Sequence, residues 1–254
     1  MRRRVAIAFA AIALSASGVV AREPGDPIRL DWLEGDVAGF TPIYSPSGGA
    51  PIGAIEYHQR RRGDVLETVR VAHFSDGSSD EDQAVARVGK TLDALRGRSV
   101  IRDTHGRPTV DLQIDVTGGR VSGFYQDGES RHDVDDRVTM SPGTYWGPLV
   151  FLVLKNFASN VEDGRVRFRT VVPTPSPRLL TLELARDGSR TITRPGGPRE
   201  LEHYVMRPHF GWLVDPIVSR LVPTTEFFVD PGAPPALGRY EGPRNFAGQE
   251  IRLE

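Results

Sequence analysis

Three short stretches hold the residue types that could do chemistry. The first is HFSDGSSDED, His73–Asp82, where Asp76, Asp80, Glu81 and Asp82 put four carboxylates in seven residues. Such a cluster invites a calcium loop, which needs oxygen donors at positions 1, 3 and 5, Gly at 6 and Glu at 12. Counting from Asp76, the sixth residue is Glu81 and the twelfth is Arg87, so the loop fails. The expectation is a solvated turn. Asp76-Gly77 would end a strand, and Ser79 or Asp80 would cap a following helix whose first turn carries acids.

The second stretch is Arg131-His-Asp-Val-Asp-Asp-Arg137. A histidine between carboxylates can serve as an acid or a ligand. Alternating charge without motif spacing reads instead as a wet hairpin face. The third is His203-Tyr-Val-Met-Arg-Pro-His209. Its histidines are six apart, which does not match the i, i+4 pair of a helical zinc site. On a strand they would share one face, with Tyr204 and Arg207 as further polar groups. No third ligand is indicated, so ordinary sheet histidines are expected and no metal or cofactor is assigned. Gly-x-Ser-x-Gly, His-Glu-x-x-His, P-loop and Rossmann glycine patterns are all missing, which lowers the expectation of an enzyme.

The elements that must position these residues follow a leader. Arg2–Arg4, the apolar run Val5–Val20 and small residues at Val19 and Ala21 read as a signal peptide over 1–21, cleaved before Arg22. The run is short for a membrane span, so no transmembrane segment is expected after cleavage, and the protein should be exported to the periplasm or beyond. There is no cysteine, so neither disulfides nor thiolate sites can form. Loss of the three leader arginines takes the formal charge from −1 to −4, which excludes a nucleic-acid footprint. Of 32 basic residues only Lys90 and Lys155 are lysine. That skew reads as a GC-rich bacterial genome.

Residues 22–52 carry Pro24, Pro27, Pro42, Pro46 and Pro51 and read as a lead-in segment, not a sheet centre. Trp32, Leu33, Phe40, Ile43 and Tyr44 would pin it to the core. Residues 53–254 read as one antiparallel β domain. Strands flank Gly63-Asp64 in a hairpin. Val110, Leu112, Ile114 and Val116 alternate with Asp111, Gln113 and Asp115, marking one buried and one wet face. Turns follow at Thr117–Gly119 and Asp127-Gly128. Arg165–Val172 and Leu179–Ala185 are further strands, with Asp187-Gly188 closing a hairpin into Thr191–Thr193. Leu201–Arg207, Thr225–Val229 and Ala236–Tyr240 are shorter candidates.

Two segments break this rhythm. Leu149–Leu154 is six apolar residues after Pro148, and the spacing favours a helix. Trp212–Pro223 could form another, capped by Asp215, with Leu213, Ile217 and Leu221 on one face. Residues 80–96 stay open between helix and strand: Val85, Val88, Leu92 and Leu95 fit helical spacing, but Gly89 weakens it.

The order of HFSDGSSDED, LVFLVLKNF (Leu149–Phe157), PTPSPRLLTLEL (Pro173–Leu184), HYVMRPHFG (His203–Gly211) and EGPRNFAGQEIRLE (Glu241–Glu254) resembles a family of uncharacterised exported bacterial proteins. They are similar to domain of unknown function 3108. The resemblance implies a mainly β fold, an antiparallel curled sheet or half-barrel like the lipoprotein carriers of the periplasm, with one or two short helices. It brings no catalytic residue, and it favours strand over helix for 80–96. A curled sheet offers a concave face for a ligand. The first expectation is therefore a non-catalytic binding or carrier module of the bacterial cell envelope for an apolar or amphipathic ligand such as a lipid, lined by Leu149, Phe151, Val153, His203, Tyr204, His209, Trp212 and Ile217. The alternatives are a structural protein that docks an envelope partner, and a cofactor-free hydrolase or isomerase built on His203, Tyr204 and His209.

Overall fold

The computed structural model describes residues 22–172, 177–194, 197–209, 224–245 and 248–254. Residues 1–21, read above as a leader, and the Trp212–Pro223 segment lie outside the described residues. So do Trp212 and Ile217 as candidate lining residues.

The fold is mainly β. The first half runs through β1 (Ile28–Arg29), β2 (Val37–Tyr44), β3 (Gly53–Arg62), β4 (Val65–Phe74), β5 (Ser79–Val88), β6 (Thr91–Arg102), β7 (Pro108–Asp115), β8 (Arg120–Asp127) and β9 (Ser130–Arg137). The helix α1 (Leu149–Lys155) follows. The second half comprises β10 (Arg165–Val172), β11 (Arg178–Arg194), β12 (Gly197–His209), β13 (Thr225–Asp230), β14 (Ala236–Pro243) and β15 (Glu250–Leu253). Every strand pairing is antiparallel. Two meanders, β2 to β9 and β10 to β15, join where β15 pairs with β2. β9 and β10 end the sheet, so among the described residues the ladder does not close.

The sheet curls because both meanders bury their inner faces on the same helix. Leu149, Leu152, Val153 and Leu154 of α1 are buried in one core with Leu66, Leu112 and Val121 of the first half and Leu184, Tyr204 and Phe227 of the second. Rings of α1 and its end meet β12 and β13: Phe151 lies edge-on to Phe227 and Phe157 edge-on to Tyr204. Full burial of each such side chain contributes about 2–3 kcal/mol.

Residues 22–52 are more than a lead-in. β2 sits inside the sheet between β3 and β15, which corrects the expectation. Pro42 is tolerated there for a local reason. Ile43 accepts from the Ile52 amide on the β3 side, so the neighbouring Pro42 turns its nitrogen to the other edge. There β15 supplies only Arg252 and Leu253, paired with Tyr44 and Ile43. Ile43 is fully buried and Leu33 packs on the core, whereas Trp32 and Phe40 are exposed. Asn156 and Asn160 clamp the earlier part. The Asn156 side chain accepts from the Asp31 and Trp32 amides, and that of Asn160 accepts from the Arg29 amide.

Residues 80–96 are strand, turn and strand. The helical spacing misleads because β6 carries a bulge: Val85 pairs with Arg96 and Ala86 with Ala94, leaving Leu95 over. Inward residues run Leu92 and Ala94 before it and Gly97, Ser99 and Ile101 after it, so period two is broken. Asp187-Gly188 does not close a hairpin. β11 continues past it with a register shift between Arg186 and Ser189, and Gly188 (φ +84°) supplies the irregular backbone of a bulge.

Candidate ligand pocket

Strand pairing sets the site. Tyr57 lies opposite Arg70, Arg70 opposite Asp82, and Asp82 opposite Ser99. Paired residues share a face, so β3 to β6 carry one polar rung. Arg70 donates to Asp82 Oδ2, and Ser99 Oγ donates to Asp82 Oδ1 at 2.8 Å. One rung along, Asp80 is buried and pairs in bidentate fashion with Arg244, at 2.7 Å to each carboxylate oxygen. Arg244 also donates to Ser78 Oγ and lies over the Phe74 ring at 3.6 Å.

The opening acidic motif is thus half turn and half interior. Asp76 behaves as expected: its Oδ1 accepts from the Ser78 amide and hydroxyl, and those hydrogen bonds hold its carboxyl below the usual range. Asp80 and Asp82 do not. They sit on β5, facing inward, and neither caps a helix. That corrects the reading of the whole motif as a solvated turn.

Two glycines let the chain before α1 lie against this wall. A methyl group at Gly97 would overlap the Trp146 indole, which rests on β6 and donates its Nε1–H to the Gln83 carbonyl at 3.2 Å. Gly147, at φ +50°, sits against the Asp82 side chain. Val150 and Phe151 then look into the same space as Trp146.

The result is a pocket of about 220 Å³ between α1 and the two halves of the sheet. The first half contributes Arg70, Asp80, Asp82, Ser99, Ile101 and Ile114. The second contributes Thr170, Leu182, Met206, Arg207, Thr225, Phe227, Tyr240, Arg244 and Asn245, and apolar groups make up most of the lining surface. Burial pushes the Tyr240 phenol up to about 12, and its hydroxyl donates to the Pro243 carbonyl at 2.7 Å. Burial opposes the charge on Arg70, but Asp82, with help from Tyr240 and Asp80, raises its pKa beyond the ordinary value. The guanidinium stays protonated, and its charge is matched by the Asp82 carboxylate.

Of the residues expected to line a ligand site, Phe151 does so. Leu149 and Val153 do not. Being i and i+4 on a helix, they share the face that is fully buried in the core. The His203, Tyr204 and His209 set is not assembled into one site. Neighbours on a strand face opposite ways. Tyr204 packs inward on Phe157. His203 belongs to a separate outer cluster with Ile192, Leu201 and Phe228. There its Nδ1 meets Asp187 at 3.1 Å and its Nε2 meets Glu226 at 2.9 Å. His209 lies at the far end of β12, opposite Thr181. Arg131–Arg137 lies in β9, exposed except for Val134, as a wet hairpin strand should be. Among the described residues no group of three His, Asp or Glu could hold a metal ion, and no helix is long and apolar enough to cross a membrane.

No family model matches the chain. No curated protein matches it either. The likeness to domain of unknown function 3108 therefore rests on the motif order alone. A similar solved structure is a beta-barrel-like protein of domain of unknown function DUF1849 from Brucella abortus. It is 9% identical, with 89% of this chain and 96% of that one aligned at a TM-score of 0.45.

Sequence reasoning missed Arg70, Ser99, Trp146 and Arg244. One signal was available. Asp80 and Asp82 are two apart, so on a strand they share a face, and the paired Arg70 lies on the neighbouring strand of the hairpin.

Proposed function

We propose that this chain is a non-catalytic binding or carrier module for a small amphipathic ligand, acting in the bacterial envelope after export. The pocket carries this reading. It combines an apolar wall from the second half, an apolar helix face and a small, internally neutralised polar wall. Ligand sites are commonly apolar clefts with a few placed polar groups. At about 220 Å³ the space lies below the usual range of roughly 300–1,000 Å³, which suits one short acyl chain or one ring system. The leader-like N-terminus supports export, and the even charge balance gives no reason to expect nucleic acid.

Native mass spectrometry with organic extraction tests the reading on protein purified from its own secretory compartment. A co-purifying lipid or other apolar molecule is expected in the wild type, and it should be depleted in Phe151→Trp, which fills the pocket. A clean apo protein that also fails to take up short-chain amphiphiles would overturn it.

A further inference from the structure

The pocket's polar wall specifies more than "amphipathic". Arg244 is fully engaged: its Nε and one terminal nitrogen hold Asp80, and the other donates to Ser78. Arg70 is not. One terminal nitrogen serves Asp82, but its Nε is buried and has no hydrogen-bond partner among the described residues. A buried donor without an acceptor is costly, most of all on a charged group. The Arg70 side chain lines the pocket and is 17% exposed, so a small turn of the guanidinium would bring this N–H to an acceptor atom carried by a bound molecule.

The charge balance decides which acceptor. Asp82 already neutralises Arg70, and its second oxygen is held by Ser99. A free carboxylate or phosphate entering here would leave water to meet arginines that are already paired, Arg70 with Asp82, Arg244 with Asp80 and Arg207 with Glu183, so no free cation would repay its desolvation. A neutral oxygen meets the same donor at a smaller desolvation cost. Resting on the binding reading above, we infer that the ligand is an uncharged acyl derivative, an ester or amide whose carbonyl oxygen accepts from Arg70 while its chain lies on Phe151, Leu182 and Phe227. Arg70 is then the specificity-determining residue and Asp82 the group that excludes acids.

The test uses three probes of similar length on the mature chain, by titration calorimetry: methyl octanoate, octanoate and nonane. In the wild type the ester should bind about tenfold more tightly than nonane, and octanoate more weakly than the ester. Arg70→Met should remove the preference for the ester while keeping nonane binding. Asp82→Asn retains the shape and frees the guanidinium charge, so it should shift the preference toward octanoate by about tenfold. Asp82→Asn carries the test alone if Arg70→Met does not fold, with melting curves run on both. Equal binding of all three probes in the wild type, unaltered by either variant, overturns the inference and leaves the binding reading standing. So does tightest binding of octanoate by the wild type. Failure of every probe to bind the wild type removes both.

Discussion

The two halves of the sheet line the pocket with different inner faces. In β4 to β6 the ion pairs Arg70–Asp82 and Arg244–Asp80 lie inside, against the helix and the pocket. In β10 to β13 the inner face beside the pocket carries Leu182, Met206 and Phe227, the Arg186–Glu202 pair stands next to Tyr204 away from the pocket lining, and the other charges lie outside. There Glu183 is ringed by Arg165, Arg167 and Arg207, and His203 sits between Asp187 and Glu226. Both halves obey the same period-two alternation. What differs is the residues at the inward positions beside the pocket, polar on β4 to β6 and mostly apolar on β11 to β13. A charged inner face is stable only when each charge is paired and hydrogen-bonded; Arg70 and Asp82 pair within the first half, and Arg244 reaches Asp80 from just after β14. The pocket forms where the two kinds of inner face meet, and so it has one polar and one apolar wall.

This contrast can be broken by substitution. Asp80→Ala should have the largest effect, about 4 kcal/mol lost in urea unfolding, because it leaves Arg244 buried without its partner. The exposed pair Arg120–Asp135 on the outer face of β8 and β9 is the control, and Asp135→Ala there should cost less than about 1 kcal/mol. Equal losses at the two sites would mean that the first half has no polar interior. On the apolar wall, Phe227→Ala should cost about 3 kcal/mol by cavity formation, with nonane affinity reduced alongside. Gly97→Ala should cost about 2 kcal/mol, since the added methyl must displace the Trp146 indole. Its near-ultraviolet circular dichroism should change with it.

Glu183→Gln sharpens the comparison through pH. Burial pushes the Glu183 carboxyl up, but the hydrogen bond from Arg167 and the charges of Arg165, Arg167 and Arg207 outweigh it and hold the pKa below the ordinary value. A lowered folded pKa stabilises above the unfolded value, about 4.3, and the contribution fades as pH falls below it toward the folded value. The melting temperature of Glu183→Gln should therefore drop less than that of the wild type between about pH 7 and about pH 3. Identical pH dependence would show that the outer cluster stores no such linkage.

Much of the fold was legible in the sequence. Val110–Val116 alternates cleanly and faces the core as read, the Gly63-Asp64 hairpin holds, and the apolar run after Pro148 is a helix. The site was far less legible, and β5 shows why. Its inward residues are Asp80, Asp82, Ala84, Ala86 and Val88, while Val85 points outward. An acid facing inward gives the same pattern as an acid facing water. Only the partner strand resolves it, and Arg244, which completes the Asp80 pair, is 164 residues away in the chain. The bulge at Leu95 hides β6 in the same way, because one extra residue exchanges the faces. Tyr204 and His203 were grouped because they are adjacent in sequence, yet adjacency on a strand separates them to opposite sides.

The most direct measurement is a nuclear magnetic resonance titration of the wild type with methyl octanoate. Saturable shifts are expected in the Trp146 indole N–H, the Ile114, Leu182 and Met206 methyls and the Arg70 Nε–H, with the Val134 methyls on β9 and the His203 ring unmoved. Shifts confined to the outer face, or none at all, would contradict a ligand site in the pocket.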